Sequence, residues 1–166
     1  MGYYQDFIKI VEGLRTQIKA NVPELNNITF SYALPGILSS NNEPDIANVE
    51  RVHLSTKTED FNFPECYILP AEDSILKAAQ HTQYHTQRFE IFVFDEGTNP
   101  EETFNRVHKL AGAIYDSIYK DITLGKTCGE AFVEEVAKIE MFTQNQKSIH
   151  RSILKLSAKY MRRGGN

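Results

Sequence analysis

The sequence is poor in the residues that small proteins use to cross-link themselves or to do chemistry. It holds two cysteines, Cys66 and Cys128. Two cannot build a disulfide framework, and there is no C-x-x-C pair or Cys/His quartet for structural zinc. No apolar run approaches the roughly 18 residues that a membrane-spanning helix needs. The first twenty residues carry Asp6, Lys9, Glu12, Arg15 and Lys19, which interrupts any signal-peptide core, so the expectation is a soluble, cytosol-made chain. The nine glycines are dispersed, so neither G-x-G-x-x-G nor G-x-x-x-x-G-K-[ST] is present to cradle a phosphate. The G-x-S-x-G elbow of the hydrolases is missing as well.

What is present is enough apolar sequence for one core. Hydrophobic residues make up 41% and charged residues 24% of 166 positions, which predicts a single domain over 1–166 and excludes a disordered tail. The net charge of −4 is unevenly spread. Residues 43–73 carry Glu43, Asp45, Glu50, Glu59, Asp60, Glu65, Glu72 and Asp73 against Arg51 and Lys57. The last twenty residues carry Lys147, Arg151, Lys155, Lys159, Arg162 and Arg163 and no acid. Two unlike-charged surfaces on one small protein attract each other between copies. Glu43, Asp45, Glu59 and Asp60 on one side, and Lys155, Lys159, Arg162 and Arg163 on the other, are therefore the candidate subunit-interface residues. The alternative is that both stretches are ordinary solvated faces.

Periodicity predicts a helix over 3–20, with Phe7, Ile10, Val11, Leu14 and Ile18 on one face and Pro23 ending it. A short strand follows at 28–32. Residues 33–48 are turn-rich, and Val49–Ser55 alternates as a strand would. Cys66–Leu69 reads as a strand bracketed by Pro64 and Pro70, since proline lacks the N–H of a ladder bond. Residues 84–94 are the clearest strand: Phe89, Ile91 and Val93 share one face, with Phe92 and Phe94 on the other. Apolar residues on both faces predict a central position in the sheet, and Asp95-Glu96-Gly97 is expected to turn the chain. Residues 100–121 are the strongest helix. Thr98 or Asn99 caps it, Pro100 suits its first turn, and Glu101 and Glu102 meet the positive end of its dipole. Its expected buried stripe is Phe104, Val107, Leu110, Ala111, Ile114 and Ile118, with Gly125 as the stop. Residues 132–142 and 149–160 fit both the helical and the strand period, and periodicity leaves both open.

Candidates for chemistry are few. His81 and His85 share one face of a strand but lie roughly 13 Å apart there, too far to share a metal. Cys128 follows Gly125-Lys126-Thr127, and a basic neighbour lowers a thiol pKa, although a lone cysteine beside a loop is ordinarily unreactive. His108 reads as a boundary residue of the long helix. Asn27-Ile28-Thr29 matches a glycosylation acceptor that a chain without a secretory signal does not expose to that machinery. On a strand, Lys147, Arg151, Lys155 and Lys159 form a basic stripe. A small enzyme or ligand-binding domain using His81, His85 or His108 is one reading, and a nucleic-acid binder using Lys155 and Lys159 is another. The overall acidity argues against the second. No catalytic, cofactor-binding or metal residue is assigned.

The order of elements is more informative. An N-terminal helix precedes strands, then come "PECYILP" (64–70), "RFEIFVF" (88–94), a helix running to Asp121 with Leu124-Gly125 behind it, and a closing segment, Ser152–Tyr160. This succession, over roughly 3–161, resembles the tail terminator, or tail completion, proteins of tailed bacteriophages and prophages. The resemblance implies an α+β fold, a mixed and mainly antiparallel sheet flanked by an N-terminal and a long central helix, with the closing segment as a strand. Residues 33–60 exceed the family's expected length, which implies an arm or hairpin there. The implied job is structural and not enzymatic, with no cofactor. Copies form a sixfold ring on the head-proximal end of the tail tube. The ring ends tube polymerisation and presents the head-joining surface. Implied partners are other copies, the tail tube protein, the head connector or completion protein and, transiently and without specificity, the genomic DNA in the lumen; no membrane is involved. The implied location is the virion, after assembly in the host bacterial cytoplasm. Another neck or connector part of the same particle is the nearest alternative.

Overall fold

The computed structural model describes residues 3–25, 27–30, 63–137, 139–144 and 146–164. The element order is α1 (Tyr3–Asn21), β1 (Asn27–Phe30), β2 (Glu65–Ala79), β3 (Thr82–Gly97), α2 (Pro100–Lys120), β4 (Glu130–Val136), β5 (Glu140–Gln144) and β6 (Lys147–Arg163). The fold is α+β. The sheet runs β1-β2-β3-β6-β4, with β5 also on β6. Among the described residues only β1 and β2 are paired in parallel; every other neighbouring pair is antiparallel. The predicted strand at 49–55, the arm at 33–60 and Glu43, Asp45, Glu59 and Asp60 lie outside the described residues.

The core forms where the apolar stripes of both helices meet one face of this sheet. From α1 it takes Ile10, Val11, Leu14 and Ile18; from α2, Leu110, Ala111, Ile114 and Ile118. The strands contribute Cys66 and Ile68, Phe89, Ile91 and Val93, and Leu154, Leu156 and Ala158. β3 is central, as its two apolar faces predicted. Its second face, turned away from the helices, carries a smaller cluster of Phe92, Phe94 and Ile149, with Phe63, Tyr67, Leu69 and Ile153 packed around it.

Four expectations need correction. Phe104 is 44% exposed rather than part of the buried stripe, and Thr103 takes the buried position beside it. Asp95-Glu96-Gly97 continues β3 instead of turning the chain. Pro70 lies inside β2 rather than closing it. The register explains this last point: Pro70 pairs with Phe89 and Asp73 with Gln87, so β2 carries one extra residue there. A β-bulge of this kind tolerates a proline. It also inverts the strand. Cys66 and Ile68 face the helices before it, whereas Asp73 and Ile75 do so after it. Finally, Gly125 is not the helix stop. α2 ends at Lys120 with Asp121 extended as its C-cap.

That end of α2 is satisfied by two side chains. Gln17 Nε2 of α1 donates to the carbonyls of Ser117, Ile118 and Asp121. The Asp121 carboxylate accepts from Thr123 N at 2.9 Å, Thr123 Oγ1 at 2.6 Å and Gly125 N at 2.9 Å. It thereby holds a tight turn in which Leu124, Gly125 and Lys126 all have positive φ. These hydrogen bonds keep the Asp121 carboxyl below its ordinary value of 3.8. A depressed carboxylate stabilises the fold fully above the unfolded value and less as pH falls through the folded one. Asp121→Asn, which cannot accept as a carboxylate does, is expected to lower the urea midpoint at pH 7. The gap from wild type should shrink as the medium is acidified below about pH 4. A gap that is constant from pH 7 to pH 2 would remove the turn's charge dependence.

Candidate functional site

The sheet face opposite the helices is the surface on which the charged residues gather. Along β6, side chains alternate: the even positions from Ser148 to Tyr160 are buried beneath the helices. The odd positions point the other way and carry Lys147, Arg151, Lys155 and Lys159, as the strand reading of the stripe requires.

Each member of that stripe is engaged by a neighbouring strand. Lys147 Nζ lies 3.3 Å from Glu96 Oε1 of β3. Arg151 Nε donates to Glu140 Oε2 of β5 at 2.7 Å, and its guanidinium stands 5.7 Å from the Phe92 ring centre. Lys155 Nζ donates to Glu135 Oε2 of β4 at 2.9 Å. Lys159 Nζ sits 5.1 Å from the Phe132 ring centre. From β3, Arg88 joins Glu72 at 2.9 Å, Ser74 Oγ at 3.2 Å and Glu134 at 3.5 Å. The hydrogen bond to Glu135, together with its charge, raises the Lys155 pKa. Three of the four cations are thus charge-paired across the sheet, and Lys159 lies over an aromatic ring. With three of its charges paired, the stripe offers little of the unpaired positive charge that a phosphate backbone needs.

The other candidate interface cations sit at the end of β6. Arg162 Nε approaches Asp6 of α1 at 3.8 Å. Arg163 is exposed and pairs in register with Thr82. Their acidic counterparts are outside the described residues. Beside these arginines the β2–β3 hairpin exposes an apolar ladder that charge counting does not reveal. Leu76, Tyr84 and Met161 are cross-strand neighbours, 68%, 49% and 47% exposed. They line a groove of about 520 Å³ with Thr86 and Lys159. On the reverse side of the same hairpin Ile75 is exposed too. Adjacent exposed apolar side chains on three strands mark a contact surface.

The histidines separate. His81 lies in the tight turn between β2 and β3, whereas His85 is buried in β3. His85 Nδ1 is 2.8 Å from Asp73 Oδ2, and its ring stacks on Tyr160 at 4.8 Å. His108 is exposed and stacks on Phe104 at 6.2 Å. Among the described residues no three His, Cys, Asp or Glu side chains come together as a metal set. Burial pushes the Cys128 thiol up to about 11, the reverse of the lowering that Lys126 suggested, and raises Cys66 further. Among the described residues no helix is long and apolar enough to cross a membrane.

Sequence reasoning missed the Asp73–His85 pair and the partners of the stripe. The alternation His85, Gln87, Phe89, Ile91, Val93 already placed His85 on the core face. Its partner depends on the bulge, which leaves no mark in the sequence beyond Pro70. The chain matches no protein-family model and no curated protein.

Proposed function

We propose that this chain is a structural ring subunit of the tail-terminator kind. In this reading, copies close into a sixfold ring at the head-proximal end of a phage tail tube, stop its growth and present the surface that joins the head. The role is structural, with no reaction and no cofactor. Assembly takes place in the bacterial cytoplasm and the product stays in the virion.

The observation that carries the reading is the element order. The helix, the strand at 65–69, the strand at 88–94, the helix at 100–120 and the closing strand occur in the succession on which the resemblance rests. Support also comes from the Leu76–Tyr84–Met161 ladder beside Arg162 and Arg163. A closed ring needs two different contact patches on each copy, and this exposed surface is suited to be one of them. The basic residue proposed for the contact narrows to Arg163, because Lys155, Lys159 and Arg162 are already engaged within the chain. Contact of the ring's lumen with DNA would be weak, non-specific and sensitive to salt.

Electron microscopy of particles assembled without the gene tests the reading. The expected result is overlong tubes lacking heads. Tubes of normal length that fail to join heads would instead assign the chain to the neck or connector. Normal particles would end both readings. Leu76→Asp with Met161→Asp changes two exposed side chains, so the chain should still fold while ring density on tail ends is lost.

A further inference from the structure

The N-terminal half of α2 rests on a buried histidine whose surroundings hold a proton poorly. His150 of β6 is 4% exposed and its Nδ1 has no hydrogen-bond partner among the described residues. It pairs in register with Asp95 of β3 on one side and with Met141 of β5 on the other. Phe104 of α2 stands edge-on above it, the ring centres 6.3 Å apart, with His108 stacked on the outer side of Phe104.

The same corner fixes where α2 begins. The Asp95 side chain, 9% exposed, accepts from Arg106 Nε at 2.7 Å and from Glu96 N at 2.8 Å. Arg106 Nη2 then donates to the Glu96 carbonyl at 3.0 Å. Thr103 Oγ1 donates to the Asn99 carbonyl at 2.8 Å. Arg106 therefore ties the first turns of α2 to the end of β3, and Asp95 is its anchor.

We propose that His150 is a proton-operated latch: its protonation loosens the first two turns of α2, residues 100–108, from the sheet while the rest of the core stays closed. Charging the imidazole puts a cation with an unpartnered N–H under Phe104. The nearby anion, Asp95, is already committed to Arg106, so the new cation competes with Arg106 for the carboxylate. Either Arg106 yields Asp95, or Phe104 lifts and lets water reach the ring. Both release the same end of α2. The other charged groups around this corner are Glu96 on β3, which pairs with Lys147, and Lys109 and His108 on α2. Glu24, Lys109, Asp95 and Arg106 also line one adjoining cavity of about 430 Å³. Among the described residues none adds a second free anion next to His150. In line with this, burial lowers the His150 pKa, and the Asp95 charge only partly opposes it.

The sign follows from linkage. The open form binds a proton more readily than the closed form, so closure is complete above the ordinary histidine value of 6.5 and is lost as pH falls below it. Opening is favoured about tenfold for each unit by which it raises the imidazole pKa. The test is amide hydrogen exchange on the full chain between pH 7.5 and pH 5, corrected for intrinsic rates. Protection over 100–108 should fall by about that factor while protection over 110–118 holds. His150→Phe, which keeps the edge-on ring contact without a titrating group, should flatten the profile; the exposed control His108→Gln should not. If the Phe variant does not fold, titration of the wild-type His150 ring by NMR serves in its place. A midpoint at or above 6.5, a flat wild-type profile, or a pH slope that survives in His150→Phe overturns the proposal.

Discussion

Phe89→Ala is expected to cost roughly 3–5 kcal/mol, the ordinary range for emptying a buried aromatic site. Phe89 is the largest of the fully buried side chains. It sits in the central strand, under α1, and stacks on Phe7 with ring centres 5.8 Å apart. Its neighbours belong to rigid elements on every side: Pro70 across β2, Leu156 across β6 and Phe7 above. Collapse into the space would have to move a helix against a sheet, so relaxation recovers little. At a denaturant slope of about 2 kcal/mol/M, the urea midpoint should fall by roughly 1.5–2.5 M. Phe89→Leu should recover more than half of this, because it refills much of the volume. A loss of under about 1 kcal/mol for the alanine variant would mean that α1 is not seated on β3.

The second large effect is at Asp73 and His85. The His85 side chain is 1% exposed and the Asp73 side chain 10%, and their contact is 2.8 Å. His85→Ala removes the imidazole from Asp73, leaves Tyr160 without its stacking partner and opens a void. Breaking a buried pair from one side costs about 3–5 kcal/mol when the abandoned charge has nowhere to hydrate. Asp73 lies near the edge of the hairpin, so about 2–4 kcal/mol is expected. A double-mutant cycle with Asp73→Asn and His85→Gln isolates the contact. Its coupling should exceed about 1 kcal/mol. Additive single effects would show that the imidazole is held by Tyr160 and packing alone.

The sequence was most legible where one local period is also the tertiary one. α1 and α2 each carry their apolar residues at helical spacing, and each packs on one side. Asn99 was readable as a cap, and its Oδ1 does accept from Glu101 N and Glu102 N. Phe104 broke the rule for α2 because what lies beneath it is polar: it meets the ring of His150 from the side while Thr103 takes the buried position. β6 was ambiguous for a different reason. It is apolar on its helix face from Leu154 to Tyr160 and apolar at Ile149 and Ile153 on the other, and the two sets together imitate a helix. The doubt over 132–142 had a third origin. β4 and β5 are two short strands laid end to end along one edge of β6, pairing with 154–159 and 147–151. Neither is long enough to establish its own period. For the candidate site, the sharing of one face by Lys147, Arg151, Lys155 and Lys159 could be read from spacing. That Glu96, Glu140 and Glu135 engage three of them could not, because this is set by register between strands distant in the sequence.

The extra residue between Pro70 and Asp73 has an evolutionary consequence. Loss of a single codon at Ala71 or Glu72 would remove only the surplus residue: Asp73, Ile75 and Leu76 would keep their partners and their sides, and Cys66 and Ile68 their places in the core. The strand can thus change its length at this one point without changing the side chains that the outer hairpin presents. Lineages that differ by one residue here should fold alike and bind alike.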